Sequence, residues 1–392
     1  MHASLSSDRG IFVQTNRNRL PGLLVLICLA PGAARAVEVD NLFNCKRGKA
    51  SCTAKFVKAQ VAAYYQKGVR HIFPIHNFDN AFGGPATWQD MIELGNRVVE
   101  GTWWDTQNCP SGYGFKLGQQ DVTKFAAHLF GFGGLGVAPP HGEVASCNKN
   151  GLTSLGEVLI DEMIKKGMII DVDHMSNKSL EGTLALCEAK KPAYPVVASH
   201  VQFFDLNQQS IRHERMRTKA QLRRIANSGG MIAAMLKDDF QDTGNIGKQL
   251  NVKYGSVTND CRHSSKTWAQ MLQYGSDVML GPVAMGSDFN GVAGHIGPRF
   301  GADACGAAAA EQRAQKGRLQ YPFEVTGFGK FEQQKTGHRT FDFNVDGLAH
   351  VGLLPDLVAD LKVVGLPQKY LDGLLRSAEK YIQVWENALR KR

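Results

Sequence analysis

The feature that most constrains this chain is a recurring unit: an amphipathic helix, often closed by glycine, followed by a short and almost wholly apolar strand. Residues 55–67 carry Phe56, Ala59, Ala63 and Tyr64 at helical spacing, and Gly68 stops them. The run 69–76 then reads as a strand. Ser154 and Glu157 pair as a capping box ahead of a helix over 158–166. Gly167 ends that helix, and 168–174 reads as the next strand. A helix over 180–189 precedes a strand over 195–200. Thr218 caps a helix ending at Asn227; Gly229 and Gly230 follow, then the strand 231–236. A helix over 267–274 leads into the strand 283–288.

Five strands alternating with helices imply parallel βαβ connections. Their near-continuous apolar character is what a sheet covered on both faces requires. The expected fold class is α/β. A (β/α)8 barrel places strand C-terminal ends, and hence a site, on one face, whereas a doubly wound sheet forms a crevice there. No GxGxxG opens a helix, which disfavours the dinucleotide-binding crevice. At 392 residues the chain has room for one barrel with insertions or for two to three domains. The less regular stretches 101–150, 237–266 and 289–345 read as insertions, and 301–310 is rich in Gly and Ala. Residues 353–389 read as two helices parted near Gly365-Leu366-Pro367.

Composition excludes several classes. Hydrophobic residues make up 43% and charged residues 21%, so the chain is neither disordered nor short of core material. The 42 glycines have no three-residue period, which excludes collagen. The net charge of +9 comes without a basic block interleaved with aromatics, so no nucleic-acid partner is expected. No apolar run reaches 18 residues, and no transmembrane helix is expected.

Residues 1–36 read as an export leader. Arg17 and Arg19 precede the apolar run 20–30, and Ala34-Arg35-Ala36 fits a cleavage site. The expected organisation is therefore a leader over 1–36 and a barrel over 37–392. Localisation is secreted or periplasmic if that leader operates, and cytoplasmic otherwise. Of eight cysteines, Cys28 lies in the leader. Cys45 and Cys52 are close in sequence, Cys109 and Cys147 flank one irregular stretch, and Cys261 and Cys305 flank another. Three disulfides with Cys187 left over suit an exported protein, with connectivity left open. No CxxC pair points to a zinc–thiolate site.

The chemistry gathers at strand ends. Four of the five strands finish in His76, His174, His200 and Asp288. Imidazoles and a carboxylate converging on one face form a hard-to-borderline donor set suited to zinc.

These residues lie in motifs that resemble a known family. Gly-Met-Ile-Ile-Asp-Val-Asp-His174-Met-Ser, Pro-Val-Val-Ala-Ser-His200, Val-Ala-Met-Gly-Ser-Asp288-Phe-Asn-Gly and Gly-Val-Arg-His-Ile-Phe-Pro-Ile-His76-Asn-Phe-Asp-Asn are similar to the membrane dipeptidases, peptidase family M19. The resemblance runs from about Glu38 to Glu386. It implies a (β/α)8 barrel of the metal-dependent hydrolase type, two Zn2+ ions, and hydrolysis of dipeptides by metal-activated water. It implies His174 and His200 as ligands of one zinc, Glu38 as the carboxylate bridging both, and Asp288 as ligand of the other and proton carrier. His76 matches the histidine facing the reacting carbonyl. Arg215 matches the arginine that binds the substrate carboxylate, with Arg212 and Arg217 competing for that role in the same basic run. A homodimer is compatible with the resemblance.

The chain departs from the family pattern at its start. The family opens on a strand ending in His-x-Asp, and no His-x-Asp precedes Glu38 here; His2 is the only histidine in that region. The expectation is a barrel incomplete at the N-terminus. One zinc, on Glu38, His174 and His200, then becomes an alternative to two. The competing functions are a related amidohydrolase acting on another amide or a lactone, and an inactive truncated remnant.

Overall fold

A computed structural model describes residues 35–118, 141, 143–236, 254–289, 295–305, 317–325 and 329–392. Of the expected leader, 1–34 lies outside the described residues. So do 119–140 and 142 of the first expected insertion, 237–253 of the second, and 290–294, 306–316 and 326–328 of the third.

The βα units fold much as the periodicity implies. The first strand, β1 (Arg35–Val37), is followed by α1 (Ala54–Gln66) and β2 (Val69–Ile72), then by α2 (Asp90–Glu100). A two-stranded hairpin, β3 (Thr106–Asn108) with β4 (Ser146–Asn148), precedes α3 (Ser154–Lys165) and β5 (Ile169–Asp171). Next come α4 (Asn177–Ala189), β6 (Val196–Phe203), β7 (Met216–Arg217), α5 (Lys219–Asn227), β8 (Met231–Met235), α6 (Ser265–Met279) and β9 (Ala284–Gly286). The chain closes on α7 (Phe343–Asp346), α8 (Leu354–Val363), α9 (Gln368–Leu375) and α10 (Ser377–Arg390).

The main sheet runs β1-β2-β5-β6-β8-β9 with every neighbour parallel, and β7 pairs with the C-terminal part of β6. It is a curled half-barrel. Among the described residues no strand joins β1 to β9, so the barrel is incomplete. β1 adds a sixth strand to the five expected, too short at three residues to show a periodicity of its own.

Alternation along the strands divides the packing. Ile72, Ile170, Val196, Ala198, Ile232 and Ala234 face the large core shared with helices α1 and α3 to α6. Ile169, Val197 and Met231 face the other way, against Val384, Tyr381 and Trp385 of α10. The C-terminal helix thus occupies the inside of the curl, where side chains of a closed barrel would meet. Each buried aliphatic side chain contributes about 1.5–3 kcal/mol. A cavity of about 270 Å3 remains there, with Val197, Met231, Ala284, Ala378 and Tyr381 among its walls.

Three local expectations are corrected. The cap of α3 is Thr153, whose hydroxyl accepts from the Gly156 N–H; Ser154 is already helical, and the helix begins there rather than at 158. The C-terminal region forms three helices after Leu353 rather than two, because the chain breaks again at Arg376. The strands end earlier than their apolar runs: β2 stops at Ile72 and β5 at Asp171, so His76 and His174 stand on the turns that follow. Burial, not pairing, makes those run ends apolar. Thr218 caps α5 as expected, and Gln221 returns to the cap to complete a capping box there.

The disulfides are Cys45–Cys52, Cys109–Cys147 and Cys261–Cys305, with Cys187 buried and free. No described helix is long and apolar enough to cross a membrane.

Candidate functional site

Six residues singled out in the sequence meet at the C-terminal ends of the parallel strands. Glu38 follows β1, His76 follows β2, His174 follows β5, His200 lies within β6, Arg215 precedes β7 and Asp288 follows β9. Parallel strands aim their ends in one direction, and six separate segments therefore deliver polar groups to one place. Gly286 permits the approach at β9. A Cβ there would sit 2.7 Å from the His200 Cα and from the Ser199 carbonyl oxygen.

Two of these residues hold left-handed backbone, His174 at φ 64° and Asp288 at φ 44°. Non-glycine residues occupy this region at a cost of order 1–3 kcal/mol, and such strain gathers where side-chain direction matters.

The Glu38 Oε1 atom lies 3.3 Å from His76 Nε2, 3.4 Å from His174 Nε2 and 3.6 Å from His200 Nε2. The His174 and His200 Nε2 atoms approach to 2.7 Å. Glu38, His174 and His200 place one ligand atom each within 4.8 Å of one another. An Arg215 Nη2–H points at His174 Nε2 from 3.2 Å. Its guanidinium stacks over Trp88, 4.8 Å from the ring centre.

The basic run resolves at this point. Arg212 stacks on Phe204 and donates to the Asn207 carbonyl. Arg217 is buried and donates to the carbonyls of Val172, Met175 and Glu214. Of the three, Arg215 is the one whose guanidinium reaches the cluster.

Charge states follow from the surroundings. Burial, then the positive charges of Arg215, His76 and His200, hold His174 well below the ordinary imidazole range, so it is neutral at pH 7. Burial opposes ionisation of Glu38, and so does the Asp288 carboxylate. The hydrogen bond from His76 and the charges of His200 and His76 outweigh both and lower its pKa. Burial also opposes a charge on His76, but its bonds to Asp40 and Glu38 prevail and raise it to about 9.

Glu38, His174 and His200 fit a metal ion. Two imidazole Nε2 atoms at 2.7 Å, one of them facing a guanidinium N–H, require a proton or a cation between them. Two nitrogens and a carboxylate oxygen are a borderline donor set of the kind zinc takes.

Three carboxylates that the sequence reading passed over support this arrangement. Asp40 accepts from the Asn77 N–H and lies 3.0 Å from His76 Nδ1. Asp173 accepts from the His200 N–H and faces His200 Nδ1 at 3.2 Å. Glu214, fully buried, accepts the backbone N–H groups of Thr87, Asn148 and Asn177, and burial pushes its pKa up to about 7. Each stands within two residues of a residue already singled out, and that proximity was the available signal.

A curled parallel α/β sheet with a carboxylate–imidazole cluster at its strand ends defines the class: an α/β barrel-type protein with a candidate metal site at its strand ends. Residues 136–298 match the family model described as membrane dipeptidase (peptidase family M19). That stretch contains His174, His200, Arg215 and Asp288.

Among solved structures the chain is similar to an amidohydrolase from Pseudomonas aeruginosa, at 15% identity over 88% of this chain and 71% of that one, with a TM-score of 0.44. It is also similar to the dipeptidase AC, a metallopeptidase of family M19, at 15% identity over 87% and 64%, TM-score 0.45. A metallopeptidase from Rhodobacter sphaeroides, liganded with a phosphinate mimic of L-Ala-D-Ala, is 18% identical over 61% and 47%, TM-score 0.36. The chain spans less than two thirds of the length of the last two. Among curated proteins, none matches it.

Proposed function

We propose that this chain is a zinc-dependent dipeptidase that uses water to cleave dipeptides bearing a free carboxylate. The observation that carries the reading is the meeting of Glu38, His174 and His200 with Arg215 beside them. Glu38, His174 and His200 would hold one zinc. When bound, zinc supplies a lowered pKa for water and polarisation of the scissile carbonyl.

The remaining roles belong to side chains. Arg215 offers a planar fork for the substrate carboxylate, and Trp88 holds its plane. A dipeptide places that carboxylate close to its single peptide bond, so one fixed guanidinium selects short substrates. His76, a donor at neutral pH, stabilises negative charge developing on the carbonyl oxygen. Asp288 takes a proton from the attacking water and passes it to the leaving amine. Three disulfides accord with an oxidising compartment, and export to the periplasm or outside the cell belongs to the same proposal.

The test is metal content and turnover together. After dialysis, the purified chain should retain about one zinc and hydrolyse dipeptides. Arg215→Ala should raise KM for free dipeptides and leave C-terminally amidated ones unaffected. An unchanged KM for free dipeptides overturns carboxylate recognition at Arg215. A folded chain that binds no zinc overturns the metal reading.

A further inference from the structure

A line of buried polar groups runs from the C-terminal helix up the inside of the half-barrel to the site. The Tyr381 hydroxyl on α10 lies 2.9 Å from His71 Nδ1 on β2. His71 Nε2 lies 2.8 Å from Asp171 Oδ2 on β5. A neutral His71 satisfies both, donating from Nε2 to the carboxylate and accepting the tyrosine O–H at Nδ1. Asp171 Oδ1 accepts the Asp173 N–H at 3.0 Å. Asp173 Oδ2 then accepts the His200 N–H at 2.6 Å and faces His200 Nδ1 at 3.2 Å. Asp171 closes β5, and Asp173 lies on the turn that follows it.

Stability alone does not account for this line. The Asp171 side chain is 0% exposed and that of Asp173 is 1% exposed. Burying two neighbouring carboxylates costs several kcal/mol each before their partners offset it, and apolar residues of similar size are often as stable or more so. The geometry does have a use at the upper end. A carboxylate on Nδ1 fixes both the tautomer and the ring plane of a ligand imidazole.

We propose, on the zinc reading above, that Asp173 is the positioning residue for His200. Its Nδ1–H is held so that Nε2 faces His174 Nε2 and Glu38. Asp171, His71 and Tyr381 hold Asp173 in turn, and the site is thereby tied to α10. Arg217 adds positive charge beside Asp173 from β7.

The test uses the full chain, stripped of metal and then titrated with zinc against a chromophoric chelator, with thermal unfolding as the check on folding. Ring 15N NMR of the metal-free chain, with the His200 signal assigned by comparison with His200→Gln, reads the tautomer independently of zinc. The wild type should carry a proton on Nδ1, whether or not Nε2 also holds the proton shared with His174. Asp173→Ala should lose that preference and bind zinc about 10–100-fold more weakly. Asp173→Asn should recover part of both, because an amide oxygen also accepts an N–H. Tyr381→Phe should shift zinc affinity the same way by less than about 10-fold. A folded Asp173→Ala with tautomer and zinc affinity unchanged overturns the proposal. If that variant does not fold, unchanged values in both Asp173→Asn and Tyr381→Phe overturn it. A wild type that binds no zinc overturns the function proposed above, and the tautomer still decides this one.

Discussion

The two sides of the candidate site are built differently. On one side His174 and His200 rise from central strands, with side chains 5% and 7% exposed, backed by Asp173 and flanked by Arg215. On the other, Glu38, Asp40 and His76 follow the edge strand β1 and its neighbour β2, with side chains 36%, 32% and 18% exposed. The central side is dry and braced by neighbours on both flanks of the sheet. The edge side is wetter and rests on a three-residue strand paired on one side only. Burial keeps His174 neutral, as the proposed ligand role requires, whereas two carboxylates keep the less deeply buried His76 cationic, as the proposed donor role requires. The comparison teaches that one sheet can supply both chemistries by position alone.

The largest expected effect lies on the central side. His200→Ala removes one of three proposed ligands and should abolish stoichiometric zinc binding, with turnover falling more than about 100-fold, beyond the range for an outer partner. The measurement is zinc content after dialysis beside dipeptide hydrolysis. If His76→Ala costs as much zinc as His200→Ala, the division between a ligand side and a donor side is broken.

Next comes the brace beneath Arg215. Glu214→Ala strips the acceptor from the buried N–H groups of Thr87, Asn148 and Asn177. Each unpaired donor costs about 1–3 kcal/mol, so the loss should reach about 3 kcal/mol or more. Denaturant unfolding measures it. A loss below about 1 kcal/mol would show that water replaces the carboxylate and that the central side is less dry than its burial implies.

Much of this was legible beforehand, for physical reasons that differ by element. The βα units α1–β2, α3–β5 and α5–β8 are amphipathic helices ahead of apolar strands, and periodicity reports burial directly. The site residues were legible because parallel strands force their ends together, so four polar residues closing apolar runs had to converge. β1 was not, since three residues carry no period. Neither was the cap at Thr153, where two adjacent hydroxyl residues differ only in backbone angle. Asp173 and Glu214 were hidden because an acid beside a histidine or arginine in sequence looks the same whether it faces solvent or the core. The choice of Arg215 over Arg212 and Arg217 needed the carbonyls that occupy Arg217 and the Phe204 ring that occupies Arg212.

The pH dependence separates the sides without any ligand. In metal-free protein His76 has a raised pKa, about 9 against 6.5. A raised histidine binds more protons folded than unfolded, so its contribution is complete below about pH 6.5 and is lost as pH rises through 9. Glu214 has a raised pKa, about 7 against 4.5, and its contribution is complete below about pH 4.5 and lost as pH rises through 7. Both limbs fall with rising pH, each by about 3 kcal/mol at most. Difference profiles of unfolding free energy against the wild type isolate each limb from the opposing rise that the lowered His174 adds up to about pH 6.5. His76→Gln should remove the upper limb and Glu214→Gln the lower.

The smallest effect tests whether the edge is tuned by Asp40. That carboxylate lies on His76 Nδ1 and also takes the Asn77 N–H. Asp40→Asn keeps an acceptor for the backbone but loses the charge. Because the pair is partly open to solvent, stability at pH 6 should change by less than about 1 kcal/mol. The upper limb should nonetheless shift down by up to about 0.7 pH units, the shift that about 1 kcal/mol allows, while the lower limb, set by a buried group across the sheet, stays in place. A shift of both limbs would mean that the two sides titrate as one network rather than two. A shift of neither would mean that Glu38 alone keeps His76 charged, and the donor side would then rest on the carboxylate that the ligand side also uses.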